Sequence, residues 1–263
     1  MNATQRLAEL LALPEPRIPL DEAALLIAAH AQPVLDIGHE LSRVDELAAG
    51  VRDPTLTGIV RHLFRDLGFA GNRDDYYDPR NSFLNEVITR RTGIPITLSV
   101  LTMEVARRVA VPLWGVGMPG HFLLRDKVDP GVFVDPFSGG RLMDARDCER
   151  LFRQVQGPGS RLDPAFLEPV PREQIVARML ANLRSVYTRA ADRRSLLWVL
   201  QLRTVLPGAG AGEWRELAHV RASAGDLRGA ALAHERAAEL GDAEAAHAEV
   251  DRMRAAHLRA RLN

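Results

Sequence analysis

Apolar residues recur at helical spacing through the first part of the chain, at Leu7, Leu10 and Leu11, at Ala24, Leu25 and Ala28, and at Ile59, Leu63, Phe64 and Leu67. Pro14, Pro16, Pro19, Pro33 and Pro54 separate these runs. Asp21 is placed to cap the run that follows it, and Gly68 to stop the one that ends at Leu67. Residues 1–70 therefore read as an N-terminal helical layer. A further helix is predicted from Asn81 or Ser82 to about Thr92, with Phe83, Val87 and Ile88 as its stripe and Gly93 at its end; Asn81, Asn85 and Thr92 fall on another side. After Pro95, residues 97–109 are apolar all round: Leu98, Leu101 and Val105 share one face, and Val100, Met103 and Ala106 lie near the other. That pattern predicts a buried helix.

Beyond Pro112 the period changes to that of strands, at 113–118, 121–125 and 132–136, the last two joined by the turn-rich DKVDPG. If Arg125 pairs with Gly131, antiparallel register sets His121 opposite Asp135 on one face. A slip of one residue would separate them. Residues 156–173, dense in Pro and Gly, read as a linker. The rest is helical around the flexible PGAGAG at 207–212. Two antiparallel helices are expected about the turn Gly225-Asp226, with Ala218, Ala230 and Ala237 allowing close approach, and a similar pair precedes them with Leu183, Tyr187, Leu196 and Leu200. The spacing is that of a tetratricopeptide-like unit. The chain thus divides into 1–70 (helical layer), 71–155 (α+β core), 156–173 (linker) and 174–263 (helix-pair domain).

Composition narrows the function classes. With 46% hydrophobic residues among 263, bulk disorder is excluded. The 34 basic and 34 acidic residues cancel, leaving no general footprint for nucleic acid or an anionic membrane. The lone Cys148 forbids an intrachain disulfide and a multi-cysteine metal site, and fits a reducing, cytoplasmic setting. No run approaches ~18 apolar residues and the N-terminus lacks a secretory pattern, so neither a membrane span nor a signal peptide is expected. The histidines His30, His39, His62, His219, His234, His247 and His257 show no ligand spacing, GVGMPG at 115–120 lacks the strand-to-helix context of a nucleotide fingerprint, and no phosphate-binding loop is present. No cofactor or metal is expected.

Candidate chemistry concentrates in the middle. His121 follows Pro119-Gly120 and could be oriented by Asp135 as in a catalytic triad, or the two could anchor a hairpin. Thr97 and Ser99 could act as activated hydroxyls or as helix caps. Cys148 shares helical spacing with Leu151 and Phe152, the mark of a core stripe. Asn81, Asn85 and Glu86 could bind ligand amides, or cap a helix and face solvent.

The run DDYYDPRNSFLNEVITRRTGIPITLSVLTMEVARRVAVPLWGVGMPGHFLLR, followed by VFVDPFSGG, resembles the transglutaminase-like family of bacteria that carries a tetratricopeptide tail, the Sir-B-one family. The resemblance covers roughly residues 74–152. It implies a papain-like, cysteine-protease-type core with a Cys at the start of a buried helix and a His and an Asp on adjacent strands, here His121 and Asp135. Counted back from ARRVAVP, that Cys would fall at Pro95 to Thr97, where no cysteine stands. Two functions follow as expectations. One is a non-catalytic binding or regulatory module, a pseudoenzyme that takes a protein or peptide partner through its cleft (Asn81, Asn85, Glu86, Thr97, Ser99) and its C-terminal helices. The other is a hydrolase or acyl transferase that uses His121 and Asp135 with a non-cysteine nucleophile.

Overall fold

The computed structural model describes residues 2–241 and 245–262. They form two compact units. The larger, Leu13–Met179, begins with helices α2 (Leu20–Ala31), α3 (Ile37–Ala49) and α4 (Leu56–Val60), the last running into a π-turn at Arg61–Asp66. A short parallel pair, β1 (Ala70–Gly71) and β2 (Thr92–Gly93), brackets a 3-10 turn at Pro79–Ser82 and α5 (Leu84–Arg90). Next come α6 (Pro95–Arg108), an antiparallel sheet of β3 (Leu113–Val116), β4 (Leu123–Asp126), β5 (Phe133–Asp135) and β6 (Arg141–Met143) in sequential order, and α7 (Ala145–Gln156).

Helix α6 is the core element. Every residue from Pro95 to Ala106 is buried, as its all-round apolarity predicts. Pro95 occupies the first helical position, where its missing N–H costs nothing. The helix therefore starts two residues before the expected boundary. At its other end the fully buried Glu104 accepts from Arg107 Nε at 2.7 Å and Arg172 Nη1 at 2.9 Å, while Asp21 holds Arg108 Nη2 at 2.7 Å. A charge so enclosed is tolerable only because several donors surround it.

Three further features differ from the pattern-based expectation. The segment 81–92 is not one helix: Arg91 adopts a left-handed conformation (φ 54°) and ends α5, freeing Thr92–Gly93 to pair with Ala70–Gly71. Residues 156–173 are not a free linker, because Leu167 joins the core with Val116, Met118 and Phe152, and Val170 N donates to Gly115 O at 2.9 Å along the edge of β3. The hairpin register pairs Arg125 with Phe133 rather than Gly131. That offset of two residues preserves the face on which each side chain lies.

The second unit joins the segment through Ala12 to residues from Leu180 onward, so α1 (Ala3–Leu11), with Leu7, Leu10 and Leu11 buried, groups with the C-terminal helices rather than with the other N-terminal ones. The chain passes from one unit to the other within α8 (Arg172–Arg189), beyond the boundary expected near 174. Helices α9 (Arg193–Arg203), α10 (Ala211–Ser223), α11 (Leu227–Leu240) and α12 (Ala245–Ala260) complete it. Helices α10 and α11 form the expected antiparallel pair: Gly225 takes φ +84° at the turn, Asp226 caps α11 on Gly229 N at 2.8 Å, and Ala218, Ala230 and Ala237 are fully buried. Among the described residues no helix is long and apolar enough to cross a membrane.

Removing the carboxylate at Glu104 takes the carboxylate partner from the half-buried Arg172 at the α6 terminus. Glu104→Ala is expected to lower local stability by about 3–5 kcal/mol, read as faster hydrogen exchange of the α6 amides, with a smaller loss in Glu104→Gln. Equal exchange in wild type and Glu104→Ala would refute the account of the core.

Candidate functional site

A turn and a strand end create the site. Met118-Pro119-Gly120-His121 closes through His121 N to Met118 O at 3.0 Å, with Gly120 at φ +74°. Proline followed by a residue of positive φ is the signature of a type II turn, which favours glycine in the second place. Here a Cβ on Gly120 would also come within 2.5 Å of Val155 Cγ1. The turn delivers His121 just ahead of β4.

Asp135, the last residue of β5, is 1% exposed. Its Oδ1 receives His121 Nε2 at 2.9 Å, Phe137 N at 3.1 Å and Ser138 N at 3.3 Å, so one oxygen caps the following 3-10 turn and orients the imidazole. Burial works to raise the Asp135 carboxyl, but the hydrogen bond and charge of His121, with help from Ser138, outweigh it and hold the group below the usual carboxylate range. An ionised carboxylate only accepts, so Nε2 carries the proton. In the neutral ring, Nδ1 then keeps a lone pair, and it has no hydrogen-bond partner among the described residues. The Phe137 ring stands edge-on to His121 at 5.9 Å and to Tyr76 at 5.9 Å, and Tyr77 meets Tyr76 at 5.3 Å. These aromatics form a rim beside the dyad.

The hydroxyls expected near the dyad are both sealed from solvent. Thr97 Oγ1 donates to Asn81 O at 2.7 Å and accepts from Ile94 N at 3.2 Å, with no solvent exposure. It is a helix-start residue tied to the preceding loop. Ser99 is equally sealed, and its hydroxyl has no hydrogen-bond partner among the described residues. Neither is available to a ligand from solvent in this structure.

Asn81 is wholly buried and serves the loop: its Nδ2 donates to Asp75 O at 2.7 Å and Tyr76 O at 3.3 Å, while its Oδ1 accepts from Asn72. It thereby positions the Tyr76 backbone. Asn85 and Glu86 form a different group around Gln32, through Asn85 Nδ2 to Gln32 Oε1 at 2.5 Å and Gln32 Nε2 to Glu86 Oε1 at 3.0 Å. The structure therefore joins His121 to Asp135 and Thr97 to Asn81, and directs Asn85 and Glu86 to Gln32 just past the end of α2.

Cys148 lies in the core with Leu151 and Phe152, as its spacing predicts. Burial above all, then the charges of Asp147, Asp144 and Asp135, push its thiol up to about 12. Among the described residues no three His, Cys, Asp or Glu side chains converge as metal ligands. The pattern-based reading did not single out Tyr76, Phe137 or Arg178. Arg178 Nη2 donates to Met118 O at 2.7 Å and His121 O at 2.6 Å, clamping the turn from a helix far along the chain.

A family model described as the transglutaminase-like superfamily matches residues 21–181. The chain is similar to a UPF0162 protein of Xylella fastidiosa, with 44% identity over 198 residues that cover 67% of this chain and 70% of that one. It is similar to a UPF0162 protein of Pseudomonas aeruginosa, with 34% identity over 203 residues and 74% of each chain covered. Human F-box only protein 21 shares 36% identity over 137 residues, 48% of this chain and 21% of the human protein. No solved structure matches the chain.

Asp135→Asn is expected to cost about 1–3 kcal/mol at neutral pH. Because the folded-state pKa is depressed, the stability it contributes is present above the unfolded value near ~3.9 and is lost as pH falls through the lower folded value. The stability gap between wild type and Asp135→Asn, measured by urea unfolding from pH 7 to 2.5, should therefore close on acidification; a constant gap refutes the carboxylate's role. A second expectation concerns the thiol. Native Cys148 should resist iodoacetamide at pH 8 for hours and label promptly in urea; prompt native labelling would contradict its burial.

Proposed function

The chain belongs to the transglutaminase-like superfamily, and from that premise we propose that its core is a recognition module. In this reading it retains the histidine–carboxylate pair of an acyl-transfer cleft, has lost the thiol, and binds amide-bearing peptide segments there rather than transforming them. The observation that carries the reading is the state of Thr97. At the start of the helix to which the resemblance assigns the superfamily's cysteine, the hydroxyl is sealed and donates to a backbone carbonyl. An alcohol attacks a carbonyl only when a base removes its proton, and a base cannot reach this one without breaking that bond. Cys148 offers no substitute, since its thiol stays protonated at neutral pH.

The dyad can still bind. The Nε2 proton is held by Asp135, so Nδ1 can accept an N–H from a ligand amide, while Tyr76 and Tyr77, 37% and 48% exposed, offer apolar cover beside it. The C-terminal helix pairs, read as tetratricopeptide-like, supply a second surface suited to a partner helix. One observation favours a second reading, hydrolysis with water as nucleophile: the same partnerless Nδ1 could take a proton from a water molecule.

The test is a titration of wild-type protein with acetyl-Gly-Gln-Gly-amide, following the ring resonances of His121 and assaying ammonia. Recognition predicts a saturable shift of His121 in the millimolar range with no ammonia released. Ammonia release that disappears in Asp135→Asn would favour hydrolysis, and an unperturbed His121 would refute the recognition reading.

A further inference from the structure

Half-buried arginines in this protein follow a rule that one of them breaks. Arg108 pairs with Asp21, Arg172 with Glu104 and Arg90 with Asp78, and every other half-buried arginine among the described residues likewise has a carboxylate within 4.0 Å. The arithmetic of desolvation makes this the expected outcome, since a guanidinium withdrawn from water is stabilised by an opposite charge. Arg178 is the exception. It is half-buried, its partners are two neutral carbonyls, Met118 O and His121 O, and its guanidinium lies over the Phe122 ring at 5.5 Å.

Both carbonyl bonds come from Nη2, so Nε and Nη1 keep donors with no hydrogen-bond partner among the described residues. Asp74 and Asp75, on the loop that carries Tyr76, do not come within ion-pair distance. The position of this unpaired cation gives it meaning. It grips the turn that bears His121, and Tyr76, within its electrostatic reach, connects through Phe137 to the imidazole by edge-on ring contacts. Burial pushes the guanidinium pKa down and Tyr76 works against that, which is the behaviour of a cation short of a counter-charge.

We propose that Arg178 is the anchor for a carboxylate on the peptide that enters the cleft beside His121, so that the ligand supplies the counter-charge the protein omits. The proposal rests on the recognition reading and specifies its ligand: a peptide with an acidic group, carried on a side chain or at its C-terminus. Arginine suits the task because its charge persists at all physiological pH and its planar donors match a carboxylate.

Three acetylated tripeptides test it, followed by the His121 ring and Arg178 Nε–H resonances of the full chain. One has its only carboxylate on a glutamate side chain, one has glutamine and a free C-terminus, and one, with glutamine and a C-terminal amide, has none. At least one acidic peptide is expected to bind about tenfold more tightly than the neutral one, the effect of one charge-assisted hydrogen bond, and which of the two does so identifies the carboxylate's source. Only acidic peptides should shift Arg178 Nε–H. Arg178→Gln should erase the preference and Arg178→Lys should keep part of it. Should Arg178→Gln fail to fold, the Arg178 resonance in wild type still decides. Equal affinity for all three, or an acidic preference that survives Arg178→Gln in a folded protein, overturns the anchor while leaving the recognition reading intact. Silence of His121 toward all three overturns both.

Discussion

One oxygen of Asp135 organises the centre of this protein. By accepting from an imidazole and two backbone amides, it stitches the end of β5 to the turn before β4 and sets the start of the 3-10 turn that carries Phe137. A buried carboxylate with fewer donors would be driven toward its neutral form. With three it stays charged, and a charged acceptor dictates which nitrogen of His121 bears the proton. The tautomer, the ring orientation and the aromatic rim follow from that single acceptor.

A second chain of bonds ties the start of α6 to the loop before it. Thr97 at the start of α6 donates to Asn81 O, and the Asn81 side chain in turn holds the carbonyls of Asp75 and Tyr76. Through these links the core helix fixes the loop that presents the tyrosines. A β-branched residue with a hydroxyl fits the role, since its rotamer is restricted and its oxygen bonds locally. Gly71 contributes to the same junction: a Cβ there would collide with Phe137.

Much of this was legible along the chain. The burial of α6 follows from apolar residues on every face, the core position of Cys148 from its spacing to Leu151 and Phe152, and the α10–α11 pair from small residues around Gly225. The His121–Asp135 pairing was legible only in part. Its register was displaced by two residues, and the contact survives because a strand repeats its faces every second position. Other features had no local signature. The partner of Thr97 is a main-chain carbonyl, which any residue at position 81 would provide. Gln32 claims Asn85 and Glu86 from a helix more than fifty positions away. Arg178 looks like any solvated helical arginine until packing removes its water and supplies no acid. The Pro-rich stretch 156–173 carries the composition of a linker, yet Leu167 and Val170 dock on the core.

The recognition reading makes one chemical claim: His121 can move a proton, and none of Thr97, Ser99 and Cys148 can attack an acyl group. Intact-mass analysis of the protein with the p-nitrophenyl ester of N-acetylglutamine, an acyl donor activated enough to reveal a weak nucleophile, tests that statement most directly. The prediction is no acyl adduct on Thr97, Ser99 or Cys148, with p-nitrophenol released no faster than by Asp135→Asn. An adduct of one acyl group on any of these three residues, formed by wild type and abolished in His121→Ala, would contradict it.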